Sequence, residues 1–397
     1  MTSTPASASP ASASPASTVI TGIGELTTVD AEHRVLHDAA VVIDDGRIAW
    51  IGPSAQAPAA DTSYDAEGRA VLPGWVDSHT HLVFAGDRGA EFEARMAGQQ
   101  YSAGGIGVTM SATRETDDAV LASLLAARVG DARRGGTTFL ETKTGYGLSV
   151  EEEQRHARLA EQAADVVTFL GAHLVPPGAD ADEYLDLVCG PMLEAVAEHV
   201  QWADVFCERG AFDVDASRRV LQACRDAGLG LRVHGNQLGP GPGVKLAVEM
   251  GAASVDHVNH LDDADVAALA DSETVATCLP ACDLSTRQPL APGRRLLDAG
   301  AEVALASNCN PGTSYTTAMG FCVATAVLQM ELTLKEALRA ATMGGARALR
   351  VEDEVGSVEV GKRADLHVLD APAAIHLAYR PGMPLTHAVF KDGRREV

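Results

Sequence analysis

The sequence predicts an α/β protein, a (β/α)8 TIM-like barrel accompanied by a small β-sandwich domain that the N- and C-terminal segments build together. Three observations carry this expectation. The middle of the chain alternates short β-branched runs with helical stretches eight times, the grammar of a parallel sheet wrapped by helices. Both ends read instead as short strands joined by tight turns, and chain ends commonly lie close together. Polar residues, histidine above all, recur at the C-terminal ends of the middle strands, where a barrel of this kind carries its chemistry.

In chain order, residues 1–17 are Ala, Ser, Thr and Pro after the initial Met, with Ala6-Ser7-Ala8-Ser9-Pro10 repeated as Ala11-Ser12-Ala13-Ser14-Pro15. Without a basic residue or an apolar stretch they read as a flexible tail, neither a signal peptide nor an anchor. Residues 18–70 form the N-terminal part of the sandwich: Ala40-Val41-Val42-Ile43 and Arg47-Ile48-Ala49-Trp50-Ile51 flank an Asp45-Gly46 turn, a hairpin signature. The barrel takes residues 71–352, with strands expected at 71–76, 137–141, 166–170, 203–206, 231–233, 254–256, 274–278 and 302–306. Helical patterns at 119–134, 151–164, 216–227 and 333–350 fill gaps between them. Residues 353–397 return to the hairpin pattern, with Leu366-His367-Val368-Leu369, then Ala388-Val389-Phe390 turning through Asp392-Gly393.

The 397 residues, 46% hydrophobic and 21% charged, can bury a large core. Thirty-one basic against 54 acidic residues give a formal charge of −23, which repels nucleic acid and anionic membrane surfaces. An anionic substrate would need a local cationic anchor. Seven scattered cysteines without a Cys-x-x-Cys pair suit a reducing compartment, and a cytoplasmic location is expected.

His79-Thr80-His81 ends the first predicted barrel strand. Side chains at i and i+2 of an extended segment share one face, so a single divalent metal can take both imidazoles. Further strand ends carry Lys143, Gly145 and Tyr146, then His173, Glu208, His234, His257, and finally Asn308 and Asn310. One buried histidine is ordinarily satisfied by a carbonyl; five at strand ends in register are hard to obtain from packing alone. A His-x-His pair plus a third histidine leaves a coordination position open, as in catalytic metal sites.

The His-x-His after strand one, the single histidines after strands five and six and the polar residue after strand eight resemble the amidohydrolase superfamily. More narrowly, Asp77-Ser78-His79-Thr80-His81-Leu82-Val83-Phe84-Ala85-Gly86-Asp87-Arg88, Lys143-Thr144-Gly145-Tyr146-Gly147-Leu148, Phe169-Leu170-Gly171-Ala172-His173, Asp204-Val205-Phe206-Cys207-Glu208 and Asn310-Pro311-Gly312 resemble the imidazolonepropionase family. The resemblance runs from about residue 20 to the end of the chain. It implies one divalent metal, Zn or Fe, held by His79, His81 and His234, and substrate contacts from Arg88, Tyr146, His173, Gln237, Asn310, Gly312 and Thr313, with Tyr101 as a further contact. His257 and Gln237 are the expected catalytic residues, and His260 is structural or one step removed from the metal. The implied reaction is hydrolysis of the cyclic amide of 4-imidazolone-5-propanoate to N-formimidoyl-L-glutamate, on a small anionic heterocycle, with no nucleic-acid or membrane partner and with the chain as a homodimer.

Chemistry supports parts of this. Arg88, shortly after His81 on the same loop, can grip a propionate carboxylate through paired charge-assisted bonds; a surface pairing with Asp87 or Glu91 is the plainer use. Tyr146 sits in a Gly-Tyr-Gly loop that can approach a ligand closely. One position departs from the family pattern: Asp-x-Asn-Pro-Gly becomes Asn308-Cys309-Asn310-Pro311-Gly312. Asparagine offers a neutral carbonyl oxygen and accepts no proton, so Asn308 is expected to be a weak metal ligand or one step removed, with His257 taking the base role. Cys309 is expected to be a buried apolar residue. Two other readings stay open: a deaminase or cyclic-amide hydrolase on another small heterocycle, and a non-catalytic scaffold of the same fold.

Overall fold

The structure, a computed structural model, describes residues 17–98 and 105–397. Tyr101 and residues 1–16 of the expected tail lie outside the described residues.

Both chain ends build the small β-domain. Strands β1 (Thr18–Thr27), β2 (Val35–Asp44), β3 (Arg47–Pro53), β4 (Thr62–Asp65) and β5 (Ala70–Pro73) come from the N-terminal segment. β1 is the branch point, pairing β2 antiparallel and both β4 and β5 in parallel. The barrel follows with β6 (Trp75–Asp77), β7 (Thr137–Lys143), β8 (Val166–Ala172), β9 (Trp202–Cys207), β10 (Gly230–Gly235), β11 (Ser254–His257), β12 (Val275–Cys278) and β13 (Val303–Leu305). Then β14 (Leu366–Leu369), β15 (Thr386–Lys391) and β16 (Arg394–Arg395) return to the small domain, β14 pairing β5. The sheet doubles over one core: Ile20, Ile43 and Ile48 from one leaf pack in the same cluster as Leu366, Val368 and Phe390 from the other, and Tyr64 of β4 meets Phe390 of β15 edge-on at 5.2 Å.

The eight expected barrel strands are present, with one boundary corrected. Residues 71–76 are two strands, because Val71 and Leu72 belong to the small-domain sheet and only Trp75 onward pairs with β7. Pro73 and Gly74 make the break: Pro73 supplies no amide donor, and a Cβ on residue 74 would lie 2.2 Å from the Thr138 side chain. The 333–350 helical pattern is likewise divided, into Leu334–Arg339, a π-turn at Ala340–Gly344 and Gly345–Ala348. Gly344 and Gly345 let this segment press on the barrel, since a Cβ on either would lie 2.2 or 2.3 Å from the carbonyl oxygen of Val303 or Val76.

All neighbouring barrel strands run parallel, in the order β6 through β13. The ring closes just beyond the last strand, where Asn308 N–H donates to His79 O at 2.9 Å and His81 N–H to Cys309 O at 2.9 Å. Asp77 reinforces this seam by accepting from Ser307 N–H at 3.0 Å and Ser307 Oγ–H at 2.6 Å. A large apolar core lies between strands and helices, and it includes Cys309, as expected. No helix among the described residues is long and apolar enough to cross a membrane.

Candidate metal centre and active site

Alternation along the barrel strands turns residues i and i+2 inward, and at the C-terminal end these residues are charged. Glu141, Lys143, Asp204, Arg232 and Asp256 are all buried. Lys143 Nζ reaches Glu141 at 2.8 Å and Asp204 at 3.0 Å, and Arg232 reaches Asp256 at 3.0 Å. Two cations against three anions leave this layer net negative toward whatever lies above it. Burial pushes the Asp204 and Asp256 carboxyls up, yet His234 and Lys143 at Asp204, and Arg232 and His79 at Asp256, outweigh it and hold both below the usual carboxylate range.

The histidines stand on this layer. His79 Nδ1–H donates to Asp256 Oδ2 at 2.6 Å, which leaves Nε2 as a lone pair facing the cavity. His234 Nδ1 lies 3.0 Å from Asp204 Oδ2. Glu141 sets the intervening Thr80 by accepting its N–H at 3.0 Å, while the Thr80 hydroxyl donates to Glu141 O at 2.6 Å. The two Nε2 atoms of His79 and His81 are 3.3 Å apart. Burial lowers His79 to about 3 and His81 well below its ordinary value, so both rings are neutral donors at pH 7. His79, His234 and His257 present donors within 4.8 Å of one another, so His257 stands close enough to ligate as well as to move a proton.

The donor set fits a divalent ion. Asn308 Oδ1 is buried without a partner among the described residues, and Asn308 borders the cavity with His81, His234 and His257. Its φ of 51° is in the left-handed region that Asn and Asp tolerate better than most side chains. His257 holds φ 84°, a conformation costing on the order of 1–3 kcal/mol that the surrounding structure must enforce.

Around these donors the cavity is lined by Arg88, Tyr146, His173, Gln237, Asn310 and Thr313, which brings together most of the substrate residues expected from sequence. His173 Nδ1–H donates to Gly145 O at 2.8 Å, turning Nε2 inward; its ring stacks on His81 with centroids 5.7 Å apart. Glu208 accepts the N–H groups of Gln237 and Leu238 at 3.0 and 2.9 Å and so places the Gln237 loop. Arg88 is held in an ion pair and still borders the cavity: its Nε and Nη2 donate to Glu91 at 2.8 and 2.7 Å. Gly312 lies on its other side and lines an outer cleft of about 490 Å3. A Cβ on residue 312 would lie 2.1 Å from Arg88 Nη1, so its glycine makes room for the guanidinium. The Asn310 carboxamide is turned to its own loop, accepting from Gly312 and Thr313 N–H and donating to Asn308 O and Thr313 Oγ1. His260 pairs with Gln288 at 3.1 Å, outside the cavity lining.

The amidohydrolase family model matches residues 70–397. The chain is 71% identical to the imidazolonepropionase of Micrococcus luteus over 96% of this chain and all of that one, and 59% identical to that of Mycolicibacterium smegmatis over 94% and 96%. The chain belongs to the imidazolonepropionase family of amidohydrolases. It is therefore a hydrolase of histidine degradation with a small-molecule substrate. Among solved structures, a zinc-bound adenosine deaminase from Xanthomonas campestris superposes with TM-score 0.74 at 19% identity, covering 96% of this chain and 92% of that one. An atrazine chlorohydrolase variant from Arthrobacter aurescens, complexed with zinc and atraton, gives 0.75 at 19% identity, covering 96% and 95%. At that identity the likeness concerns the fold alone.

Sequence reasoning missed the charged layer beneath the imidazolonepropionase site. Asp256 stands directly before His257 and Asp204 four residues before Glu208, each inside a buried strand. A charge in a buried strand was the available signal, because such a group is retained only with a partner.

Proposed function

We infer that the chain opens the cyclic amide of 4-imidazolone-5-propanoate to N-formimidoyl-L-glutamate, using one divalent ion, zinc or iron, held by His79, His81 and His234 with Asn308 Oδ1 as a weak neutral donor. The 71% identity to the Micrococcus luteus imidazolonepropionase carries this reading. Imidazole donors suit either metal. When bound, the ion supplies the Lewis acidity that activates water and polarises an amide carbonyl.

The protein's own residues do the rest. Arg88 takes the propionate carboxylate with its remaining guanidinium edge, and Tyr146 and His173 flank the ring. Burial, with His234 and His79 beside it, holds His257 well below its ordinary value. It is thus a neutral acceptor that can take a proton from the attacking water and return it readily to the leaving ring nitrogen. Gln237, fixed by Glu208, is suited to hydrogen-bond the polarised oxygen. Seven free cysteines are in keeping with a cytoplasmic location.

The test is hydrolysis of freshly prepared substrate by the native chain and by Asn308→Asp, with metal content measured on the same samples. Turnover by the native chain with about one metal per chain, as in a site with one open position, is expected. Turnover only in Asn308→Asp would mean that position 308 has switched the site off, and inactivity in both would favour another heterocycle or a scaffold role.

A further inference from the structure

His257 belongs to two groups of donors. With His79 and His234 it presents ligand atoms within 4.8 Å of one another, and it does so again with Cys282 and Asp283, both in the short helix Pro280–Thr286 that follows β12. All three side chains of this second group are buried. Cys282 Sγ lies just behind the cavity wall, 3.9 Å from Nε2 of Gln237, which lines the cavity as His257 does. The protein leaves the group short of partners. His257 Nδ1 is buried without a hydrogen bond among the described residues. Asp283 accepts the Ala291 N–H at 3.2 Å, but no Lys or Arg among the described residues pairs with its carboxylate, and a buried carboxylate without a counter-charge is costly.

Imidazole, thiolate and carboxylate together are a zinc-type ligand set. Donors bonded at about 2.0–2.3 Å to a tetrahedral ion stand roughly 3.3–3.8 Å apart, so side-chain movements of about 1–1.5 Å would close the group around one. The two sets differ in charge. His79, His81, His234 and Asn308 are neutral donors, whereas Cys282 and Asp283 would ligate as two anions that balance a dication. They also differ in order of filling. A thiol is ordinarily protonated at pH 7 and must lose its proton before the sulfur ligates, while a neutral imidazole has a lone pair ready. The histidine site fills first, and the second group takes metal only when metal is in excess.

Ligation there has a consequence for His257. A neutral imidazole carries one lone-pair nitrogen and one N–H. Once a cation occupies the lone pair, the other nitrogen still holds its hydrogen and the ring accepts no proton, whichever nitrogen binds.

We propose that His257, Cys282 and Asp283 form a second, inhibitory site for a zinc-like divalent cation, which fills after the resident ion and takes from His257 the lone pair that accepts the proton. This rests on reading His257 as the proton acceptor beside a metal held by His79, His81 and His234, and the experiment separates the two.

The full-length chain carrying its resident metal is titrated with cobalt(II), which takes the same donors and reports a thiolate ligand by a charge-transfer band in the near ultraviolet. Turnover is measured on the same samples. The band should saturate at a single added equivalent, and turnover should fall in step by roughly 100-fold or more, the share a general base supplies. Cys282→Ala should show no band and keep its turnover as cobalt is added. Asp283→Asn should need cobalt at concentrations higher by at least roughly 10- to 100-fold, the loss that follows removal of even an outer partner of a metal site. Absence of a band in the native chain, or a band that survives in Cys282→Ala, would overturn the proposal. A cobalt–thiolate band with undiminished turnover would overturn the inhibition and trace the failure to His257 as proton acceptor. A chain inactive before cobalt is added would count against the proposed reaction, and the band would still decide whether the site exists. Should Cys282→Ala fail to fold, as judged by circular dichroism, Cys282→Ser takes its place, since a hydroxyl gives no thiolate band.

Discussion

Removing the Arg88 guanidinium should weaken turnover in a way that depends on the charge of the substrate's side arm. Arg88 is 5% exposed, and two of its three nitrogens are committed to Glu91. The edge around Nη1, accommodated by Gly312, is what remains for a carboxylate. Truncating one partner of a buried, charge-assisted pair costs roughly 2–5 kcal/mol, which is about 30- to 4,000-fold in kcat/KM. Arg88→Ala should fall toward the upper part of that range, since it also takes from the Glu91 carboxylate its nearest cation among the described residues and leaves it Arg95, 3.5 Å away. Because the arm is remote from the bond being broken, most of the loss should appear in KM. Arg88→Lys should recover only part, having the charge without the planar fork. The assay compares the propionate substrate with an analogue whose arm ends in a carboxamide. An equal proportional loss for both compounds would refute the reasoning, because it would mean that Arg88 supports the loop architecture and not the anion.

Two further outcomes follow from groups beneath and beside the site. Asp256→Asn removes the negative charge that holds His79 Nδ1–H at 2.6 Å and leaves Arg232 without its carboxylate, and metal affinity should drop roughly 10- to 100-fold; a chelator competition that finds it unchanged would show that the charge is not needed to orient the ring. His367, 1% exposed and lowered by burial from 6.5 to about 3, is neutral when folded and protonated when unfolded between those values. Its contribution is therefore complete above about pH 6.5 and is lost as pH falls below it, at about 1.4 kcal/mol per unit. His367→Gln should flatten the fall in stability between pH 7 and pH 5 by roughly 2 kcal/mol, read by denaturant unfolding at the two pH values; parallel curves would exclude it.

Barrel strands were legible because each is a buried apolar run ending in a polar residue, and their order follows from parallel topology with short crossovers. The boundary at Pro73-Gly74 was not, since Val71-Leu72 and Trp75-Val76 are one apolar run and only pairing partners distinguish the two sheets. At the site, the histidines could be read from strand-end position. The neighbours of Asn310 could not: a carboxamide turned to its own loop and one turned to a ligand look alike in sequence.

The seam of the barrel has a consequence for how the protein is made. Asp77 and Ser307, which lock that seam, are 230 residues apart in the chain, and the proposed metal donors divide between its two sides. During synthesis a ribosome releases His79, His81 and then His234 before Asn308 emerges, so a nascent chain holds these donors without the seam that fixes the first two against the last. Chain closure over such a span is slow and entropically costly. A metal ion that binds across it would act as a clasp on the finished ring, and growth medium poor in metal would be expected to lower the yield of closed barrel as well as its activity.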